Sequence, residues 1–123
     1  MIDEVQSQNR RNSVRLRMSY PAMVTRYDKK GRKCEQKPSK SMDVSLVGIR
    51  LKSSFPVNAG ERLDITIALR DKLVTFEGRV IHVKPCDDQG FELGIAIEDI
   101  ENPYRIAMNQ FFDWIQTEVE SEE

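Results

Sequence analysis

Asp43-Val44-Ser45-Leu46-Val47-Gly48-Ile49-Arg50-Leu51-Lys52 decides how this chain reads. Its second half alternates: Ile49 and Leu51 fall on one side, Arg50 and Lys52 on the other, which is the spacing of a half-buried strand. Its first half, Asp-x-Ser-x-x-Gly, is built from residues that make turns, because Asp and Ser oxygens bond nearby backbone and Gly lacks a Cβ. A turn feeding a two-sided strand is therefore expected here, and the same alternation recurs on both sides of it. Tyr20 to Tyr27 reads as a first strand. Leu63, Ile65 and Ile67 alternate, as do Val74, Phe76, Gly78 and Val80, and then Phe91, Leu93, Ile95 and Ile97.

The connections carry their own signals. Lys29-Lys30-Gly31-Arg32 is a turn in which Gly31 can take positive φ, and Pro85 to Gly90 is a turn cluster. The polar, basic stretch after Arg32 is expected to be an edge strand or a loop. Asn102-Pro103 predicts a helix start, with Asn as cap and Pro at the first helical position. Tyr104, Met108, Phe111, Phe112, Ile115 and Val119 follow at helical spacing. Strands in series followed by one helix predict a small antiparallel barrel with a helix packed against it. The expected division is an arm at 1–18, a barrel at 19–100, a helix at 101–119 and a frayed acidic tail at 120–123.

Composition narrows the function. A chain of 123 residues suits one domain with one modest core. The net charge is −1, so no global field draws in nucleic acid or membrane. The charge is unevenly spread, however. Between Arg10 and Lys40 there are eleven Lys or Arg and only Asp28 and Glu35 against them, whereas Arg105 is the single cation from Glu98 to Glu123. The basic third is the part suited to a phosphate ligand. Cys34 and Cys86 have no CxxC spacing and His82 is the only histidine, which argues against structural zinc. The absence of an apolar N-terminal run and of a span of about 18 apolar residues predicts a cytoplasmic protein with no membrane insertion.

That basic third contains Arg10-Arg11-Asn12-Ser13-Val14-Arg15, an Arg-x-x-x-Arg pattern at Arg11 and Arg15. In this order, about thirty residues apart and ahead of a β-rich segment, it and Asp-x-Ser-x-x-Gly resemble the motifs of the PilZ domain, a bacterial receptor for the second messenger cyclic di-GMP. The resemblance covers roughly residues 8 to 116 and implies an all-β fold, a six-stranded antiparallel PilZ-type barrel with a C-terminal helix. It implies that Arg11 and Arg15 clasp the phosphates and guanines and that Asp43, Ser45 and Gly48 line the barrel face beneath. An arginine at Arg10, just ahead of the motif, implies stacking on a guanine and favours an intercalated ligand pair.

The chemistry agrees. An arginine fork bonds phosphate oxygens in pairs and stacks on rings, and it pairs with guanine O6 and N7. Asp43 can accept from guanine N1 and N2. Ser45 can bond a phosphate or base atom at short range. Plainer roles stand beside these: Asp43 and Ser45 as turn caps, Gly48 as backbone geometry, the arginines as a solvated arm. His82, in phase with Val80 and Phe76, is expected in the core or at the barrel end. Trp114 is the aromatic expected to be left exposed for a partner.

The reading is thus a non-enzymatic cyclic di-GMP receptor needing no cofactor. Its partners are the dinucleotide and an unidentified effector protein, not a nucleic acid polymer. Two rivals remain: a PilZ-like interaction module that binds no nucleotide, and a small barrel for single-stranded nucleic acid, which lacks here an aromatic series on one strand. An enzyme is least favoured, since no acid–base pair, metal set or phosphate-cradling glycine loop appears.

Overall fold

A computed structural model describes residues 19–28, 30–54, 57–86 and 90–121. Arg10, Arg11 and Arg15 lie outside the described residues. Six strands and one helix follow in order: β1 Pro21–Tyr27, β2 Lys33–Val44, β3 Gly48–Ser53, β4 Arg62–Leu69, β5 Lys72–Pro85, β6 Phe91–Asp99 and α1 Asn102–Ser121. Every pairing is antiparallel, and the order β1-β2-β3-β6-β5-β4 closes on itself through β1 and β4. This is the expected six-stranded barrel with a C-terminal helix. Among the described residues no helix is long and apolar enough to cross a membrane.

The alternating residues do what their spacing predicts. Ile49, Leu51, Leu63, Ile65, Ile67, Val74, Phe76, Val80, Leu93 and Ile95 all point inward and are buried. The polar stretch after Arg32 is a twelve-residue strand, not an edge. Barrel closure pairs it with β1 on one side and β3 on the other. Its inward positions include Ser39 and Ser41 in place of aliphatics, which removes the apolar signal while leaving the ladder intact. The β1–β2 turn is held by Asp28, whose carboxylate accepts from the backbone N–H groups of Lys30 and Arg32 at 2.9 Å each, with Gly31 at φ 79°. Those bonds, that from Arg32 first, hold the Asp28 carboxyl below its ordinary range.

The entry of the chain into β1 is fastened twice. The Tyr20 N–H donates to Ser41 Oγ at 2.8 Å, and the Ser41 N–H donates back to the Tyr20 carbonyl at 2.9 Å. The Tyr20 ring meets Phe111 of α1 edge-on at 5.5 Å. One residue therefore joins the start of β1 to β2 and to the helix.

α1 lays Met108, Phe111 and Phe112 into the core. Its first backbone bond runs from the Arg105 N–H to the Glu101 carbonyl at 3.0 Å. Glu101 is thus the capping position, one residue before the expected Asn102. Trp114 is half-buried, against the expectation of an exposed aromatic. The Arg70 guanidinium lies 3.8 Å from the centre of its ring. Arg70 opens the two-residue β4–β5 loop at φ 61°, a conformation that costs a non-glycine residue about 1 kcal/mol. The cation–π contact over Trp114 offsets a good part of that. Trp114→Ala removes this contact and the tilted packing on Phe111 at 6.1 Å. It is expected to destabilise the fold by about 2 kcal/mol, read as a lower urea midpoint with an unchanged slope.

Candidate functional site

Strand register brings four residues into one row across the outside of the barrel. Asp43 pairs with Arg50, Arg50 with Gly94, and Gly94 with His82, so the row runs over β2, β3, β6 and β5. Two bulges make it possible. On β2 the register slips between Ser41 and Asp43. Without the extra residue Met42, Asp43 would face Ile49 and point into the core. On β5 the register slips between Val80 and His82. Val80 stays buried, while Ile81 and His82 are both exposed. His82, expected in the core or at the barrel end from its phase with Val80, lies instead exposed on the outer face: one inserted residue reverses the phase.

Asp43 is 3% exposed although it sits on the outer face. Arg50 grips its Oδ2 with Nε and Nη2, both at 2.8 Å. Arg50 Nη1 reaches Glu92 Oε2 at 3.3 Å. The carboxylate is thus oriented by a guanidinium fork, which is itself steadied by a second acid on β6. Sequence reasoning singled out Asp43 and missed Arg50 and Glu92. Arg50 was accessible to it, because a four-residue turn between the paired Val44 and Ile49 places Arg50 opposite Asp43.

Ser45 is fully buried and holds the β2–β3 turn. Its hydroxyl donates to the Gly48 carbonyl at 3.1 Å and accepts from the N–H groups of Gly48 at 3.1 Å and Val47 at 3.3 Å. Those bonds use its one donor and both lone pairs. Gly48 is confined by β6: a Cβ built on it would stand 2.7 Å from the Ile95 carbonyl oxygen. Gly94 is different. The space its side chain would fill is taken by the His82 imidazole. A cleft of about 90 Å³ lies along the row, with Arg50 and His82 in its walls and the exposed apolar side chains Val47 and Ile81 at its rims.

The structure thus brings Asp43, Ser45 and Gly48 together at one hairpin and adds Arg50, Glu92 and His82 beside them. The resulting surface offers an oriented carboxylate, a guanidinium, an imidazole and apolar rims.

A family model for the PilZ domain matches residues 9–114, a span that includes both sequence motifs. No curated protein matches the chain. Among solved structures, the chain is similar to the Bacillus subtilis inhibitor of motility MotI/DgrA, with a TM-score of 0.71 and 16% identity, over 85% of this chain and 50% of that one. The chain therefore spans half the length of that protein. It is also similar to the PilZ domain of CeSA from a cellulose-synthesizing bacterium, with a TM-score of 0.61 and 17% identity over 85% and 99% of the two chains. A third likeness is to the PilZ domain of Escherichia coli YcgR, solved with c-di-GMP, with a TM-score of 0.60 and 12% identity over 89% and 93%. Identities this low speak to the fold.

Proposed function

The chain belongs to the PilZ domain family, and we propose that it is a receptor for cyclic di-GMP. The observation that carries the reading is the outer-face row, in which a bulge turns Asp43 out of the core and Arg50 orients its carboxylate. The matching fold of a domain solved with c-di-GMP supports it. In this reading Asp43 accepts from the N1 and N2 donors of a guanine, which adenine cannot supply. Ser45 and Gly48 hold the hairpin that presents Asp43. Arg11 and Arg15 clasp phosphates and guanine edges from outside, and Arg10 stacks on a guanine.

The proposed output follows from Tyr20. Ligand that orders the residues ahead of β1 restrains Tyr20, whose ring contacts Phe111 of α1 and whose backbone is bonded to Ser41. The helix surface and the β2–β3 turn then form the changed face offered to an effector protein in the cytoplasm. No cofactor enters this mechanism. Part of the binding energy goes into ordering the arm, which couples ligand to shape.

Calorimetric titration with cyclic di-GMP, with GTP and cyclic di-AMP as controls, tests the reading. Saturable binding to cyclic di-GMP alone is expected. Arg11→Ala should weaken it by roughly tenfold to a hundredfold, the loss of about 1.5–3 kcal/mol from a charged hydrogen bond. Two ligands per chain would support the stacking role of Arg10. Arg15→Lys keeps the charge and loses the fork, so it too should bind more weakly, and wild-type affinity in that variant would sink the bidentate reading. No binding by calorimetry or by a second method would leave a nucleotide-independent interaction module.

A further inference from the structure

On the receptor reading above, we propose that the cleft between Arg50 and His82 is a second base subsite, which holds a purine by stacking and leaves its hydrogen-bonding edge unread. It occupies the β5 end of the outer-face row, beyond the reach of the two sequence motifs. The β5 bulge makes Ile81 the extra residue, so Ile81 and His82 are both exposed. A bulge beside a binding surface re-aims side chains in this way. His82 pairs with Gly94, and the Cε1, Nδ1 and Nε2 atoms of its ring all crowd the point that a Cβ on Gly94 would occupy. The nitrogens on both sides of Cε1 can come that near only if the ring presents its face. The imidazole thus lies flat over the β6 backbone at Gly94, and the lack of a side chain there is what admits it.

The sides of the cleft suit a flat ring. Val47 is 54% exposed and Ile81 60% exposed, and both line the cleft together with the imidazole. Aliphatic side chains left this open gain by covering an apolar ring face. Distance says which ring. Neighbouring strands lie about 4.8 Å apart, so the row from β2 to β5 spans roughly 14 Å, and an imidazole lying over β6 stands roughly 10 Å from Asp43. One guanine held at Asp43 does not bridge that gap. The cleft therefore serves the other base of the dinucleotide.

Stacking sets the ligand class. Histidine is one of the side chains on which unpaired bases stack. Such contact tolerates a change of base, because every base has a π-face, whereas donors and acceptors at the edge distinguish one base from another. The two ends of the row then divide the work. Asp43 demands a guanine, and the cleft beside His82 accepts guanine or adenine. The class of ligand is a cyclic dinucleotide with at least one guanine, the mixed guanine–adenine compound included.

The test is calorimetric titration of the full chain with cyclic di-GMP, the mixed guanine–adenine cyclic dinucleotide and cyclic di-AMP. Wild type, His82→Ala, His82→Phe and Gly94→Ala are compared, with a thermal melt of each. His82→Ala is expected to weaken cyclic di-GMP binding about tenfold. His82→Phe keeps a flat ring without the nitrogens and should retain most of the affinity. Gly94→Ala should push the imidazole off the backbone and weaken binding while melting close to wild type. The mixed dinucleotide should bind wild type far more tightly than cyclic di-AMP does. Equal losses in His82→Ala and His82→Phe would mean that the ring nitrogens, not the ring face, meet the ligand. Unchanged affinity in His82→Ala and Gly94→Ala would mean that the ring meets nothing. Either result overturns the proposal and leaves the receptor reading in place, as does a mixed dinucleotide that binds no better than cyclic di-AMP. Failure of wild type to bind cyclic di-GMP would remove the receptor reading itself and this subsite with it.

Discussion

Gly48→Val is expected to destabilise the barrel by roughly 3 kcal/mol, a fall of about 10 °C in melting temperature for a domain of this size. The obstacle is a backbone atom. A Cβ at residue 48 would stand 2.7 Å from the Ile95 carbonyl oxygen, and that residue is itself fixed in the β3–β6 and β5–β6 ladders. Neither strand can yield without breaking pairs on its other side. The branched side chain also disturbs the Gly48 N–H bond to Ser45 Oγ, so the hairpin carrying Asp43 loosens with the sheet. Gly94→Ala provides the contrast. Its neighbour is the exposed His82 imidazole, the far end of a side chain that can rotate away. It should therefore cost far less, and thermal melts of the two variants side by side decide the matter. Equal losses would mean that the close approach of β3 to β6 is not what demands glycine at 48.

Arg50→Ala should cost about 2–3 kcal/mol and weaken cyclic di-GMP binding while leaving Arg11 and Arg15 intact. Removing one partner of a buried ion pair costs roughly 3–5 kcal/mol, because the other charge stays buried. The Asp43 side chain is 4% exposed but that of Arg50 is 34% exposed, so water admitted by the truncation reduces the loss. Arg50→Lys keeps a cation without the fork and should fall between wild type and alanine in both readouts. Urea unfolding measures the first effect and calorimetry the second. If stability falls and affinity does not, Arg50 is a structural partner of Asp43 with no part in presenting it to a ligand.

The sequence made the fold legible wherever residues alternate in phase with the sheet. Ile49 and Leu51, Leu63 to Ile67, and Leu93 and Ile95 are buried as their spacing predicts. β2 was not legible as a paired strand. A strand flanked on both sides needs backbone pairing more than apolar side chains, and serines fill its inward places. The bulges at Met42 and Ile81 are equally silent, since one inserted residue leaves no compositional mark yet reverses every side chain after it. For that reason His82, expected in the core or at the barrel end, lies exposed on the outer face. Trp114, expected to be left exposed for a partner, is half-buried, because its cover comes from Arg70, more than forty residues earlier in the chain.

The double fastening of Tyr20 to Ser41 also fixes a tether. Ser41 lies two residues before Asp43 on the same strand, so the chain preceding β1 is anchored beside the outer-face row. Four residues lie between Arg15 and Tyr20, so five Cα–Cα steps limit its reach to about 18 Å from that anchor. Confinement of this kind sets an effective concentration, of millimolar order for a short tether. In the proposed receptor the arginines would meet a ligand on the row as a local reagent rather than as a second independent partner. In that receptor, lengthening the chain between Arg15 and Tyr20 would dilute them.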